Sequence, residues 1–348
     1  MRPRRILLWR QSRPADGKHW PRHWIYHQRA LASILWAVRR LPEVTKEILT
    51  MIQRLAFAIM VALMIAACGG ADGSPTVAGP LKVVATFSVL GDIAQNVGGD
   101  KIELRTLVGP GIDTHTFAPS PADNRALAEA ALVLENGLGF EGWLDDLYSA
   151  SGSKAARVVV TDGIAPLEAD GETDPHAWHN VANAIRMAEN IRDALAAADP
   201  ANAATYRSNA ESYIAELQTL DAWVFDEVER VPEERRKLVT THDTFGYFAE
   251  RYGFEIVGAV LPSSTEGASP SAQEVAALVE AVRSVGVPAV FAENVSSNSL
   301  LNQIAAEAGI AVVASLYTDA LGPPGSDSDT YLKMMQYNVA TIVRELSK

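Results

Sequence analysis

Beyond its first 80 residues, the chain alternates short runs of β-branched residues with stretches of helical periodicity. KVVATF at 82–87 and ELRTLV at 103–108 are typical of buried strands, and a helical pattern at 89–97 lies between them. The same alternation recurs toward the C-terminus, and it is typical of βαβ units with parallel sheets. Residues 181–231 interrupt it, because they contain no strand candidate. The chain is therefore predicted to be an α/β protein with two lobes, each built on a mainly parallel sheet.

The strand-free interval is predicted to be helical and to connect the two lobes. Asp199-Pro200 divides it into a helix at 181–197 and a longer helix at 201–230. The longer segment carries apolar residues at spacings of mostly three and four, which favours one rigid amphipathic rod. The predicted domains are an N-terminal α/β lobe at 81–200, a linking helix at 201–231 and a C-terminal α/β lobe at 232–348.

A lipoprotein signal peptide is predicted ahead of the lobes. Residues 51–67 begin with a positive charge at Arg54, continue through an apolar run too short to cross a membrane, and end in small residues. The tetrad IAAC ends at Cys68, the only cysteine, and resembles a bacterial lipobox, in which the thiol receives diacylglycerol. A buried free thiol is the alternative, since cysteine packs well as a small hydrophobe. Residues 68–80 are predicted to be a flexible tether.

The first 50 residues differ in composition from everything that follows. They hold 11 of the 30 Lys+Arg residues but only 3 of the 42 Asp+Glu, and four of the seven tryptophans. Because the positive segment of a signal peptide is ordinarily short, we interpret residues 1–50 as an upstream extension that is not translated, with Met51 as the true start. A genuine basic extension or a twin-arginine leader is the alternative.

Without residues 1–67 the chain is strongly acidic. Their removal takes 12 of the 30 Lys+Arg and 3 of the 42 Asp+Glu, which leaves 18 against 39 and a net charge of −21. A surface of this charge repels nucleic acid and acidic lipid, so no nucleic-acid partner is expected. The remaining length of about 280 residues is enough for two lobes with buried cores.

Histidine is scarce after the signal peptide, and its positions indicate a metal site. Three of the four histidines, His115, His176 and His242, follow predicted strands, and so does Asp319. Open α/β sheets bind ligands in the crevice outside the carboxyl ends of their strands. Two facing lobes are therefore expected to bring these four side chains into one cleft. Three imidazoles and one carboxylate can close a tetrahedral zinc site without a water.

Five motifs follow one another along the predicted mature domain, namely THTFAPSPAD, NGLGFEGWLDDL, TDPHAW, THDTFGYFAERYG and LYTDALGPPGSDSDTYLKMMQYN. Together they resemble the zinc- and manganese-binding lipoprotein receptors of bacterial ABC importers, the ZnuA/TroA-like family, over residues 82–348. The resemblance implies two α/β lobes joined by a long backbone helix, with one metal bound between the lobes. Carried over position by position, the family's metal ligands fall on His115, His176, His242 and Asp319.

The resemblance also bears on which metal binds. In this family a glutamate at the position of His242 generally goes with manganese and a histidine with zinc. Nitrogen-rich sites likewise favour zinc over manganese in the Irving–Williams order. We therefore predict zinc, with manganese as the alternative, because some relatives with three histidines and an aspartate accept manganese. The segment before His176 also lacks the histidine-rich insertion of many dedicated zinc receptors.

Three further residues are left outside the predicted site. His179 departs from the family pattern, which usually has leucine there, and we interpret it as a surface histidine rather than a ligand. Glu266 and Glu293 follow strands of the second lobe and lie within reach of the cleft. Glutamates in such loops are more often solvated or paired with lysine or arginine.

The function that the resemblance implies is capture and delivery of a divalent metal, not catalysis. The receptor would stand outside the cytoplasmic membrane, anchored through lipidated Cys68, and hand the ion to an ABC permease driven by an ATPase. We expect it to be a monomer. A zinc hydrolase is the first alternative, in which water fills the fourth metal position, although the chain has no HExxH motif. A surface adhesin is the second, because it would use the anchor and the acidic exterior.

Overall fold

The computed structural model describes residues 48, 50–52, 54, 79–169, 172–261, 271–286, 289–295 and 298–348. The chain divides into two compact units, residues 1–73 and 74–348, and nearly all of the described residues belong to the second. Cys68 and Glu266 lie outside the described residues. In the described part of the chain, no helix is long and apolar enough to cross a membrane.

The N-terminal lobe of the second unit is built on a parallel sheet. Its strands are β1 (Leu81–Phe87), β2 (Ile102–Val108), β3 (Leu132–Glu135) and β4 (Ala156–Val159), in the order β2-β1-β3-β4. The connecting helices are α1 (Ser88–Gly98), α2 (Pro121–Glu129) and α3 (Leu144–Ser151). Strand β1 is buried at every position except Lys82, as its apolar sequence predicts for a central parallel strand.

A short antiparallel hairpin follows β4, and the sequence did not predict it. Its strands are β5 (Leu167–Ala169) and β6 (Glu172–Asp174). Strands of three residues with mostly polar side chains show too little apolar alternation for a periodicity argument. The backbone N–H of Leu167 donates to the hydroxyl of Tyr247 at 3.0 Å, which ties the hairpin to the C-terminal lobe.

Two long helices, α4 (Val181–Ala198) and α5 (Ala203–Val228), join the lobes. Asp199-Pro200 separates them, and a single 3₁₀ turn fills the gap. Seven buried residues of α5 recur at spacings of three and four, namely Tyr206, Ala210, Tyr213, Leu217, Leu220, Val224 and Val228. They belong to one apolar core that also contains residues of both lobes. The helix thus buries one apolar face along its whole length, as the spacing of its apolar residues predicts.

The C-terminal lobe repeats the architecture of the first. Its strands are β7 (Lys237–His242), β8 (Glu255–Leu261), β9 (Ala289–Glu293) and β10 (Ala311–Leu316), all parallel, in the order β10-β9-β7-β8. Its helices are α6 (Gly246–Tyr252), α7 (Ala272–Val285), α8 (Ser299–Ala308) and α9 (Tyr331–Leu346). The predicted fold class, two lobes with parallel sheets joined by a long helix, is confirmed.

Candidate metal centre

Four buried side chains from both lobes meet at one point. His115 lies in the loop after β2, His176 after β6, His242 at the end of β7 and Asp319 after β10. One potential ligand atom from each lies within 4.8 Å of the other three. His115 is 7% exposed, and the other three are fully buried. The structure thus brings together the four residues that were singled out from the sequence, although His176 follows the hairpin and not β4 directly.

Four distances between donor atoms of the cluster are close to those around a tetrahedral ion. Nε2 of His115 lies 3.4 Å from Nε2 of His176 and 3.5 Å from Oδ2 of Asp319. Oδ1 of Asp319 lies 3.5 Å from Nε2 of His176, and Oδ2 of Asp319 lies 3.2 Å from Nε2 of His242. Four ligand atoms at zinc–ligand bond lengths of about 2.0–2.1 Å in a tetrahedron are roughly 3.3 Å apart. The three histidines therefore present the same ring nitrogen to a space that suits such an ion.

The polar atoms of the cluster are poorly satisfied without a cation. Neither carboxylate oxygen of Asp319 has a hydrogen-bond partner of good geometry among the described residues, and the same holds for both ring nitrogens of His242. Buried polar atoms in native proteins are nearly always paired. A metal ion in the cluster would supply a partner for Nε2 of His242 and for an oxygen of Asp319.

Two of the histidines are held from behind by carboxylates. Oδ1 of Asp174 accepts hydrogen bonds from Nδ1 of His176 at 2.7 Å and from the backbone N–H of the same residue at 2.9 Å. Nδ1 of His242 contacts Oε2 of Glu293. Such partners fix the orientation and tautomer of a metal-binding imidazole. Glu293 is 1% exposed, so the prediction that it is solvated or paired with a basic residue was wrong.

Gly246 lies next to the site, at a position where a larger residue would not fit. A β-carbon at this position would lie 2.6 Å from Oδ2 of Asp174, closer than real β-carbons approach. Because two hydrogen bonds to His176 fix this carboxylate, it cannot easily move away. The start of α6 in one lobe therefore approaches the carboxylate of the other lobe only because the residue is glycine.

A tight turn in the NGLGFEGW motif supports the site from the N-terminal lobe. Glu141 is buried and accepts hydrogen bonds from the hydroxyl of Thr86 and from two backbone N–H groups of the turn. Burial raises the pKa of Glu141 to about 7, although these hydrogen bonds act to lower it. The turn places the ring of Phe140 edge-on to His115, with 4.9 Å between ring centroids, and 5.9 Å from His176.

The charges of the cluster depend on one another. Burial by itself raises the pKa of Asp319, but His242, His176 and His115 outweigh it and hold this pKa well below its usual value. Burial likewise lowers the pKa of His242, but the charges of Glu293 and Asp319 outweigh it and raise this pKa well above its usual value. A proton on His242 therefore compensates the carboxylates in the metal-free protein, and a metal ion competes with that proton.

The prediction that His179 is a surface residue was wrong. His179 is fully buried, its ring lies 4.7 Å from that of Phe245 and 5.7 Å from that of Trp178, and it is not part of the four-residue cluster. Neither ring nitrogen has a hydrogen-bond partner among the described residues. Burial lowers the pKa of His179 to about 3, with a smaller effect from the charge of His176. The imidazole therefore stays neutral in the folded protein at any ordinary pH.

We expect His179→Leu to make the metal-free protein more resistant to acid. The unfolded chain takes up a proton on His179 below about pH 6.5, whereas the folded protein does not until about pH 3, so wild-type stability falls as the pH falls through this window. The loss is at most about 1.4 kcal/mol per pH unit, or about 2 kcal/mol at pH 5. Urea unfolding of both proteins at pH 7 and pH 5 measures it. A difference between variant and wild type that does not change with pH contradicts the prediction.

A family model and several relatives match the chain. The model for ZnuA, the periplasmic component A of the zinc-uptake complex, matches residues 83–345. The manganese-binding lipoprotein MntA of Halalkalibacterium halodurans is 38% identical over 296 residues, which cover 84% of this chain and 98% of MntA. The iron-binding protein YfeA of Yersinia pestis is 34% identical over 280 residues, which cover 79% of this chain and 89% of YfeA.

Solved structures of similar proteins share the fold. The periplasmic zinc-binding protein TroA of Treponema pallidum superposes with a TM-score of 0.73 at 28% identity, over 78% of this chain and all of TroA. A manganese-bound periplasmic metal-binding protein of Candidatus Liberibacter asiaticus gives a TM-score of 0.69 at 32% identity, over 76% of this chain and 98% of that protein. The metals named for these proteins are zinc, manganese and iron.

Proposed function

The chain belongs to the ZnuA family of periplasmic metal-uptake components, and on that premise we propose that it is the receptor that captures a divalent metal for an ABC importer. The observation that carries this proposal is the buried cluster of three imidazoles and one carboxylate, whose ligand atoms lie within 4.8 Å of one another. We assign metal coordination to His115, His176, His242 and Asp319. The partners that follow are a membrane permease and the ATPase that drives it, with the receptor acting as a monomer.

Capture fits the geometry better than catalysis does. Both oxygens of Asp319 lie within 3.5 Å of ligand nitrogens, so this carboxylate closes the fourth metal position. A hydrolytic zinc site keeps that position open for water. The chain is accordingly a receptor and not an enzyme. The members of its family are receptors as well. The adhesin alternative rests on the predicted anchor and the acidic charge alone.

We propose zinc as the preferred cargo, although relatives are named for manganese and iron as well. Three of the four donors are imidazole nitrogens, and imidazole suits zinc better than manganese. Four of the separations between these donor atoms are 3.2–3.5 Å, as expected around a small four-coordinate ion. Manganese usually takes more oxygen ligands than this site offers.

The test is a comparison of zinc and manganese affinities by chelator competition at pH 7.5. We expect one tightly bound ion per protein, with zinc bound at least tenfold more tightly than manganese, in keeping with the Irving–Williams order. Metal analysis of protein dialysed against equal concentrations of both ions is the independent check. Tighter binding of manganese would overturn the zinc assignment and leave the receptor function standing. Absence of stoichiometric binding by either ion would overturn both.

The same proposal places the receptor outside the cytoplasmic membrane, held by a lipid on Cys68. The relative MntA of Halalkalibacterium halodurans is a lipoprotein, and Cys68 ends the lipobox-like tetrad IAAC. Fractionation of cells that express a Cys68→Ala variant tests the anchor, because the variant should leave the membrane fraction while it retains metal binding.

A further inference from the structure

Glu293 is a buried acidic residue whose contacts extend beyond the imidazole of His242. It ends β9, the strand of the C-terminal sheet between β7 and β10, and it is 1% exposed. No lysine or arginine pairs with it within the part of the chain that the structure describes. A buried carboxylate without a basic partner is costly, so its retention calls for polar contacts of another kind.

Those contacts join Glu293 to two segments that carry proposed metal ligands. Its Oε1 accepts a hydrogen bond from the backbone N–H of His242 at 2.8 Å, and its Oε2 contacts Nδ1 of the same imidazole. Its Oε2 also accepts a hydrogen bond from the hydroxyl of Thr318 at 3.0 Å. Thr318 directly precedes Asp319. One carboxylate thus holds both ligand segments of the C-terminal lobe.

Asp174 gives a useful contrast within the same site. It contacts Nδ1 and the backbone N–H of His176 through a single oxygen, Oδ1. Its other oxygen, Oδ2, has no hydrogen-bond partner among the described residues. Asp174 therefore orients His176 alone, whereas Glu293 links His242 at the end of β7 to the segment after β10 that carries Asp319.

The contact with Nδ1 has a definite chemical consequence for His242. The contact lacks the geometry of a hydrogen bond, but a carboxylate beside Nδ1 favours the tautomer with its hydrogen on that nitrogen and its lone pair on Nε2, which faces the cluster. The negative charge behind the ring also makes Nε2 a stronger donor. A stronger nitrogen donor benefits zinc more than manganese, because manganese prefers oxygen ligands.

We propose that Glu293 is a positioning and specificity-determining residue of the metal site, which sets the tautomer of His242, aligns Asp319 through Thr318 and thereby favours zinc. The inference rests on the proposed function, because it concerns the same ion. It assigns Glu293 no direct bond to the metal.

The test compares wild-type protein with Glu293→Gln, which keeps the size of the side chain and removes its charge. We expect zinc affinity to fall by about 10–100-fold, the range typical for loss of such a partner, and manganese affinity to fall less. Long-range ¹H–¹⁵N spectra of the zinc-loaded proteins report the ring nitrogens directly. The Nδ1–H signal of His242 should shift or broaden in the variant, while that of His176, held by Asp174, should not change.

Glu135→Gln is the matched control. Glu135 is also a buried strand-end glutamate, at the end of β3, but its Oε2 pairs with Arg157 at 2.6 Å and contacts no proposed ligand. Its replacement should leave zinc affinity and both histidine signals unchanged. Thr318→Val is a second variant, which removes only the hydroxyl between Glu293 and the Asp319 segment. It should weaken zinc binding without altering the His242 signal.

The outcomes separate this inference from the proposed function. If wild-type protein binds no metal, the proposed function fails, and the inference fails with it. If wild-type protein binds zinc, but Glu293→Gln keeps the same zinc affinity, the same zinc-to-manganese ratio and the same His242 signal, only the inference is overturned. If Glu293→Gln does not fold, Thr318→Val decides, since unchanged zinc affinity in that variant overturns the link to Asp319.

Discussion

Asp319→Ala is expected to lower zinc affinity by roughly a hundredfold or more. Apparent binding free energies of four-ligand zinc sites in peptides are about 10–16 kcal/mol. Loss of one ligand out of four therefore removes on the order of 3 kcal/mol, about a hundredfold in the dissociation constant. The aspartate should exceed that average, because it is the only ligand with a negative charge and it lies in a fully buried site. Chelator competition with zinc measures the change.

Replacement of any of the three histidines by alanine should also lower zinc affinity. Alanine at His115, His176 or His242 removes one nitrogen donor from the cluster, and the remaining three ligands hold the ion less tightly. Asp146→Ala is the matched control, since this aspartate lies exposed on α3. Binding that stays at wild-type strength in any ligand variant would remove that residue from the site.

Zinc is expected to stabilise the folded protein by about 4 kcal/mol when free zinc exceeds the dissociation constant a thousandfold. The four clustered side chains come from both lobes, so only the folded chain brings them together. For a domain of this size, that gain raises the melting temperature by on the order of 10 °C. Calorimetry of the metal-free and zinc-loaded protein measures it, and Asp319→Ala should lose most of the shift.

The stabilisation by zinc should shrink as the pH falls. Zinc binds neutral imidazoles and an ionised carboxylate, and Glu293 and Asp319 raise the pKa of His242 well above its usual value. Protons therefore compete with the metal at His242 already above pH 6.5. A shift in melting temperature that stays constant from pH 8 to pH 6 would contradict coordination by these side chains.

The alternation of apolar runs and helical periodicity was sufficient to predict the fold class. Buried strands of a parallel sheet are mostly apolar segments, and β1 and β9 are of this kind. The long helix α5 was equally visible, because one of its faces is apolar along the whole length. These features depend on local sequence order alone, so no tertiary contact was needed to recognise them.

The four clustered side chains could also be named from the sequence, for a reason of topology. Loops at the carboxyl ends of parallel strands meet at one edge of a sheet, and His115, His242 and Asp319 lie in or beside such loops. His176 was named correctly, although the hairpin that positions it was not predicted. The polar β5 and β6 gain their stability from contacts such as that between Leu167 and Tyr247, which join residues 80 positions apart.

The sequence by itself therefore determined the class of fold, the family and the identity of the clustered side chains, because each leaves a local pattern. Only the tertiary structure decided which polar residues are buried. His179 and Glu293 occupy sequence positions that are typical of exposed residues, yet both are enclosed by segments far away in the chain. Burial is a property of the whole packed chain, and the pKa of a side chain and its role follow from burial.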